Sequence, residues 1–233
     1  MGAVRLIRAG AAALAVALVI GMAPAQASAP DPASDYSSFF DDDVLRGSGW
    51  STCPGPVTWS VDTRGLSAAA AEREVRRLTK ALTLWSRHSS IPLEFIGRQD
   101  LVYDNDAFVL RSATDPAPRT RHIYIGFYGA REVPGLSGSV VGLARPTSVF
   151  TDERELVGGM AVFRRGYVTR EASAEPRHLT HLYLHELGHI FGLGHAASPV
   201  NVMYPTLGTL TTLGPGDRAG VRAHTRECGL LSP

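Results

Sequence analysis

His185-Glu186-Leu187-Gly188-His189-Ile190-Phe191-Gly192-Leu193-Gly194-His195 is the stretch of this chain that constrains the rest of the reading. Leu179, Leu182, Tyr183 and Leu184 before it make a largely apolar helix, and Pro176 suits its first turn. On that helix His185 and His189 stand about 40° apart in azimuth and roughly 6 Å apart along the axis. Both imidazoles therefore reach one ion. Neutral imidazole nitrogen suits zinc, at about 2.0–2.1 Å. Gly192 is able to take the left-handed conformation that ends a helix and turns the chain back. That turn brings His195 round as a third ligand. Three protein nitrogens leave the fourth tetrahedral position to water, which marks a catalytic zinc. A structural zinc would normally close with a fourth protein ligand.

Glu186 points about 100° away from His185, so it reaches the water without ligating the metal. Zinc lowers the pKa of that water toward about 7, and the carboxylate takes its proton as it attacks a carbonyl. Glu186 then passes the proton to the leaving amine. The result is hydrolysis without a protein nucleophile. His181 lies one turn before His185 on nearly the same face. It reads as a hydrogen-bonded or packed histidine, with a supporting role at the site as the alternative.

The frame HExxHxxGxxH, filled by His185, Glu186, His189, Gly192 and His195, resembles the metzincin signature. Asn201-Val202-Met203-Tyr204-Pro205 is similar to the Met-turn of the matrixins, the matrix-metalloproteinase branch. The resemblance implies that Met203 lies beneath the zinc-binding imidazoles. Pro205 stands where astacin-like relatives carry a ligating tyrosine, which favours the matrixin branch. Val57 to Val61, the helix from Ser67 to Arg87, and His122 to Phe127 resemble the first strand, first helix and third strand of a matrixin catalytic domain. Gly142-Leu143-Ala144-Arg145-Pro146 is similar to its edge strand, which pairs with an extended peptide. Asp217-Arg218-Ala219-Gly220-Val221 resembles the start of the last helix, with Asp217 as its cap.

The implied fold is α+β. A twisted, mostly parallel five-stranded sheet carries two long helices, one of them the active-site helix. The Met-turn and a small C-terminal subdomain with a last helix follow. The chain also departs from the family pattern. Only His122 lies between His88 and His178, so no histidine-built structural zinc is expected. Calcium is left open, because Asp side chains and carbonyls of the glycine-rich segment are able to supply a site. Cys53-Pro54-Gly55-Pro56 is only a loose echo of a latency cysteine, and Pro205-Thr206-Leu207 lacks the tyrosine of the family's specificity wall. Gly216 replaces one acid of a common Asp pair.

Local patterns elsewhere agree with a single domain. Val57 to Val61 alternates and is β-branched, as a strand does. Ser67 caps a helix whose stripe is Ala71, Val75, Leu78, Leu82 and Trp85. Further strands are expected at Leu93 to Ile96, Phe108 to Leu110, His122 to Phe127, Val140 to Ala144 and Met160 to Phe163. Asp100 to Arg119 reads as a long surface loop around the second of these. Gly126, Gly129, Gly135, Gly138 and Gly142 mark a glycine-rich excursion.

The ends of the chain speak to location. Arg5 and Arg8, the apolar run Ala9 to Ile20, and Ala25-Gln26-Ala27 form a signal peptide, residues 1–27, cleaved after Ala27. Residues 28–52 read as a flexible acidic leader that includes Asp41-Asp42-Asp43, and 53–233 as the catalytic domain. In an oxidising compartment Cys53 and Cys228 form a disulfide; the alternative is a latency thiolate. The chain is 44% hydrophobic and has a formal net charge of +1, so it is neither disordered nor basic enough for nucleic acid.

Together these features predict a secreted, extracellular, monomeric zinc endopeptidase acting on protein or peptide. It has no nucleic-acid partner and no membrane attachment after signal cleavage. His185, His189 and His195 hold one zinc, and Glu186 is general base and acid. Leu143, Ala144, Pro205, Thr206 and Leu207 touch substrate. Two other readings stay open: an inert zinc-containing module that grips extended peptides, and a hydrolase of non-peptide amides.

Overall fold

The computed structural model describes residues 31–40, 48–53, 55–115, 119–149 and 155–227. A short strand, β1 (Trp50–Ser51), precedes β2 (Val57–Asp62), whose alternating β-branched and aromatic residues are covered on both faces. Helix α1 (Ala68–Ser89) starts where the Ser67 hydroxyl accepts the Ala70 N–H at 3.3 Å. Its Ala71, Leu78, Leu82 and Trp85 are buried as the stripe predicts. Glu74 is buried beside them at 1% exposure, because it accepts the Tyr183 hydroxyl at 2.8 Å and pairs with Arg77.

The chain continues through β3 (Leu93–Arg98), β4 (Leu101–Asp104), β5 (Val109–Ser112), β6 (His122–Tyr128), β7 (Gly142–Val149) and β8 (Glu155–Arg164). Helices α2 (Arg165–Ala174), α3 (Pro176–Ile190) and α4 (Pro215–Ala223) and a short β9 (Thr225–Arg226) complete it. The main sheet has the order β3-β2-β6-β8-β7; β7 alone runs antiparallel to its neighbour. The long helices α1 and α3 share one core with it, and the Trp85 indole N–H donates to the Leu184 carbonyl at 3.0 Å to join them. This is the α+β architecture expected.

Several local expectations are corrected. The stretch read as a surface loop folds into an antiparallel hairpin of β4 and β5. Leu101 and Leu110 seal it onto a second apolar cluster with Tyr124, Tyr128, Met160 and Val162. Phe108 sits at its turn with φ 53 instead of in a strand. The strand read at Val140 to Ala144 begins at Gly142, where the resemblance puts the edge strand, and runs to Val149. Helix α2 was not foreseen, since its residues are mostly polar and only Val168 and Glu171 are buried.

The leader is not loose throughout. Residues 31–40 and 48–52 lie against the domain, and Trp50 is buried with its indole N–H on the Ile190 carbonyl at 2.9 Å. Tyr36, Phe39, Phe40 and Trp50 give this stretch apolar surface that its Asp and Ser content concealed. The signal peptide 1–27, Asp41-Asp42-Asp43 and Cys228 lie outside the described residues. Among those described, no helix is long and apolar enough to cross a membrane.

His122 shows what the sheet imposes. It is 1% exposed, with Nδ1 hydrogen-bonded to Thr58 Oγ1 at 2.7 Å and Nε2 to Ser60 Oγ at 2.8 Å. Burial pushes its pKa down to about 4, against 6.5 for a free imidazole. The unfolded chain therefore binds a proton that the folded one refuses between these values. Stability is full above pH 6.5 and falls on acidification, by about 3 kcal/mol from this group once pH passes below 4. Denaturant unfolding of zinc-free His122→Gln should show a shallower loss than the parent over that window. Equal slopes would refute it.

Candidate metal centre

Helix α3 starts on Pro176 and buries Leu179, Leu182, Tyr183, Leu184, Leu187 and Ile190. That burial fixes its rotation and turns His185 and His189 to one side. The helix stops as its glycine dictates. Gly192 has φ 92, its N–H donates to the His189 carbonyl at 3.0 Å, and the Leu193 N–H donates to the Gly188 carbonyl at 3.1 Å. These paired bonds are a Schellman close. The chain then doubles back and delivers His195. One ligand atom from each of His185, His189 and His195 lies within 4.8 Å of the others.

The donor set suits zinc in its chemistry as well. His185 Nδ1 faces the Val202 carbonyl at 2.7 Å and His189 Nδ1 faces the Leu193 carbonyl at 2.8 Å. A carbonyl only accepts, so each Nδ1 carries the hydrogen and each Nε2 keeps a free lone pair. Burial lowers the pKa of His185 to about 4 and that of His189 to about 3, so both are neutral at physiological pH. His195 is exposed, and burial lowers its pKa too.

Glu186 stands beside this cluster at 8% exposure. It makes no hydrogen bond or ion pair with any described residue. Burial pushes its carboxyl up to about 8, and a nearby dication pulls the other way by favouring the charged form. Room for the carboxylate comes from Gly142 at the start of β7. A Cβ at Gly142 would lie 2.7 Å from Glu186 Oε1 and 2.8 Å from its Cδ.

Met203, 1% exposed, lies against α3 at Gly188. Its sulfur would collide with a Cβ at Gly188, and so would the Trp85 ring, so glycine lets α3 settle on both. The Ala196 N–H donates to the Met203 carbonyl at 2.9 Å, tying the His195 loop to the turn. Asp217 is not the cap of α4, as expected, but its third residue. Its carboxylate accepts the Gly214 N–H at 2.7 Å, the Val202 N–H at 2.7 Å and the Met203 N–H at 3.2 Å. It closes the helix start and holds the Met-turn in the same act, so the position matters more than a cap would.

The other predicted residues are placed as follows. His181 is 2% exposed, accepts the Leu210 N–H at 3.1 Å, and is outside the ligand cluster. Leu143 and Ala144 follow Gly142 on β7, Leu143 packing against the second apolar cluster and Ala144 against the main core. Pro205, Thr206 and Leu207 are exposed after the Met-turn. Sequence reasoning missed Gly142, Gly188 and the leader residues Ser37, Ser38 and Phe39. These three line a cavity of about 300 Å³ with His189, Gly194 and His195.

Residues 144–223 match the family model described as Matrixin. The matched span takes in the three histidines, Glu186, Met203 and Asp217, and leaves out the leader and Gly142. Comparison with curated proteins finds no match.

Proposed function

We propose that this chain, whose residues 144–223 match the Matrixin model, is a zinc metalloendopeptidase of matrixin type that works outside the cell on extended segments of protein or peptide. The observation that carries the catalytic reading is Glu186. A buried carboxylate without a protein partner is costly, and a module that only gripped peptides would have no use for it. Zinc, when bound, supplies Lewis acidity that acidifies a water and polarises a substrate carbonyl.

The protein's residues do the rest. His185, His189 and His195 hold the ion through imidazole nitrogens, two of them aligned by backbone carbonyls. Glu186 takes the proton from the attacking water and returns it to the leaving amine. Low solvent exposure around the carboxylate strengthens both transfers. Among the described residues the outer edge of β7 is unpaired in the sheet. An extended substrate adds there as a further strand alongside Leu143 and Ala144. Pro205, Thr206 and Leu207 form the facing wall.

Export rests on the n-region, apolar run and Ala25-Gln26-Ala27 of residues 1–27. The disulfide belongs with it. β1 and β9 are parallel partners, Trp50 with Thr225 and Ser51 with Arg226. We take the mature enzyme to be a monomer.

The test is cleavage of a diverse peptide library by mature protein, with and without a zinc chelator. Cleavage should stop with 1,10-phenanthroline and return on adding zinc. Cleavage indifferent to the chelator, or cleavage of simple amides alone, would overturn the reading. A parallel run with a calcium-selective chelator decides whether calcium, left open by the sequence, contributes.

A further inference from the structure

Two of the three zinc ligands have their rings held from behind, by the Val202 and Leu193 carbonyls. The His195 ring has no hydrogen-bond partner among the described residues, and it is the exposed ligand of the three. It also sits on a loop, not on the helix. Its aim therefore depends on its backbone, and the leader holds much of that backbone. Ser37 Oγ donates to the His195 carbonyl at 2.8 Å, and the Gly194 N–H donates to the Ser37 carbonyl at 2.8 Å. Ser38 bridges Leu193 in antiparallel fashion, and the Phe39 N–H donates to the Gly192 carbonyl at 2.8 Å. On the far side of His195, one carboxylate gathers three donors. Asp35 accepts the Ala197 N–H at 2.7 Å, the Ser198 N–H at 2.8 Å and the Asn201 side-chain amide at 2.8 Å.

The domain is shaped to receive this segment. A Cβ at Gly194 would strike Ser37 Oγ and come within 2.5 Å of the Ser38 carbonyl oxygen. A Cβ at Gly216 would strike the Asp35 carbonyl oxygen, and one at Gly220 would lie 2.9 Å from Tyr36 Cβ. Three glycines, one on the ligand loop and two on α4, thus form the seat of a single segment roughly 160 to 185 residues away in sequence.

We propose that residues 35–39 are a built-in clamp on the third zinc ligand, with Asp35 as its positioning residue. The inference rests on the zinc reading above. Its chemistry is specific to a carboxylate: Asp35 offers two acceptor oxygens to the two adjacent N–H groups and still takes the Asn201 amide. An amide in its place offers one acceptor and turns a donor against a donor. Groups that orient metal ligands from behind typically change metal affinity or activity by about 10–100-fold.

The experiment uses the full mature chain with Asp35→Ala, Asp35→Asn and Ser37→Ala, and Asp31→Ala as the control outside the clamp. Zinc transfer to a chromogenic chelator, the visible spectrum of the cobalt-substituted protein, and kcat and KM are measured on each. Asp35→Ala should release zinc roughly 10-fold faster or more, alter the cobalt spectrum, and lower kcat with little change in KM. Asp35→Asn should share most of the loss, Ser37→Ala should show a smaller effect of the same sign, and Asp31→Ala none. If Asp35→Ala and Ser37→Ala lose only thermal stability, with zinc release and cobalt spectrum unchanged, the clamp idea is wrong. If Asp35→Ala does not fold, Ser37→Ala decides alone. Failure of the parent to bind zinc or cleave peptide would instead strike the proposed function, and so is distinguishable.

Discussion

Glu186→Ala is expected to hold one zinc as tightly as the parent and to lose turnover by roughly 10²–10⁴-fold, the usual worth of a positioned acid–base group. Two features of the site separate these outcomes. The metal is held by His185, His189 and His195, and Glu186 is no member of the cluster of ligand atoms. The carboxylate is also unpaired and buried, so its removal breaks no hydrogen bond or ion pair with the described residues and relieves a desolvated group. The variant should therefore melt at or above the parent's temperature. Zinc content by mass spectrometry, peptide cleavage and thermal unfolding measure the three quantities. Retained activity would remove Glu186 from the reaction. Loss of zinc together with activity would mean that the carboxylate helps to hold the ion.

The legible part of this site was the part governed by short-range geometry. His185 and His189 are separated by one helical turn, and Gly192 ends that helix by a local backbone preference, so the triad could be read without knowing what surrounds it. The α1 stripe was legible for the same reason. Contacts between residues far apart were not. Nothing near Asp217 in sequence shows that its carboxylate reaches back to Val202 and Met203, and a cap was the natural reading of an acid before Ala219 and Val221. The leader was misjudged because composition weighs its Asp and Ser content and not what Asp35, Ser37 and Phe39 meet. The β4–β5 hairpin was hidden because its strands are only four residues each and sit within a largely polar stretch. Glycine is the recurrent blind spot: a residue without a side chain carries no sign of which neighbour occupies the space it leaves.

Gly142→Ala follows from that last point, and it should cost about 10²-fold in kcat while leaving the fold and the zinc intact. The new methyl group would come within 2.7–2.8 Å of Glu186 Oε1, Cδ and Cγ, closer than a Cβ can sit. One of the two must move. The strand is paired to β8 through Gly142 and Phe163, whereas the carboxylate is the free end of a flexible side chain. Glu186 gives way, at a cost to stability of about 1 kcal/mol or less, in the range of ordinary substitutions. Catalysis is less forgiving, since a displacement of about 1 Å in a positioned group is able to cost 10²-fold. KM should change little because the outer edge of β7 is untouched. Gly188→Ala makes the opposite case. There the methyl group meets the Met203 sulfur and the Trp85 ring, both at the centre of the core, and neither has an open direction to turn. Overpacking of that kind typically costs about 1–3 kcal/mol, and it falls on α3 between the two helix ligands. The pair is read by kcat, KM, zinc content and melting temperature. Gly142→Ala with parental kcat would show that Glu186 does not use the space in front of β7, and would leave its working position during proton transfer elsewhere.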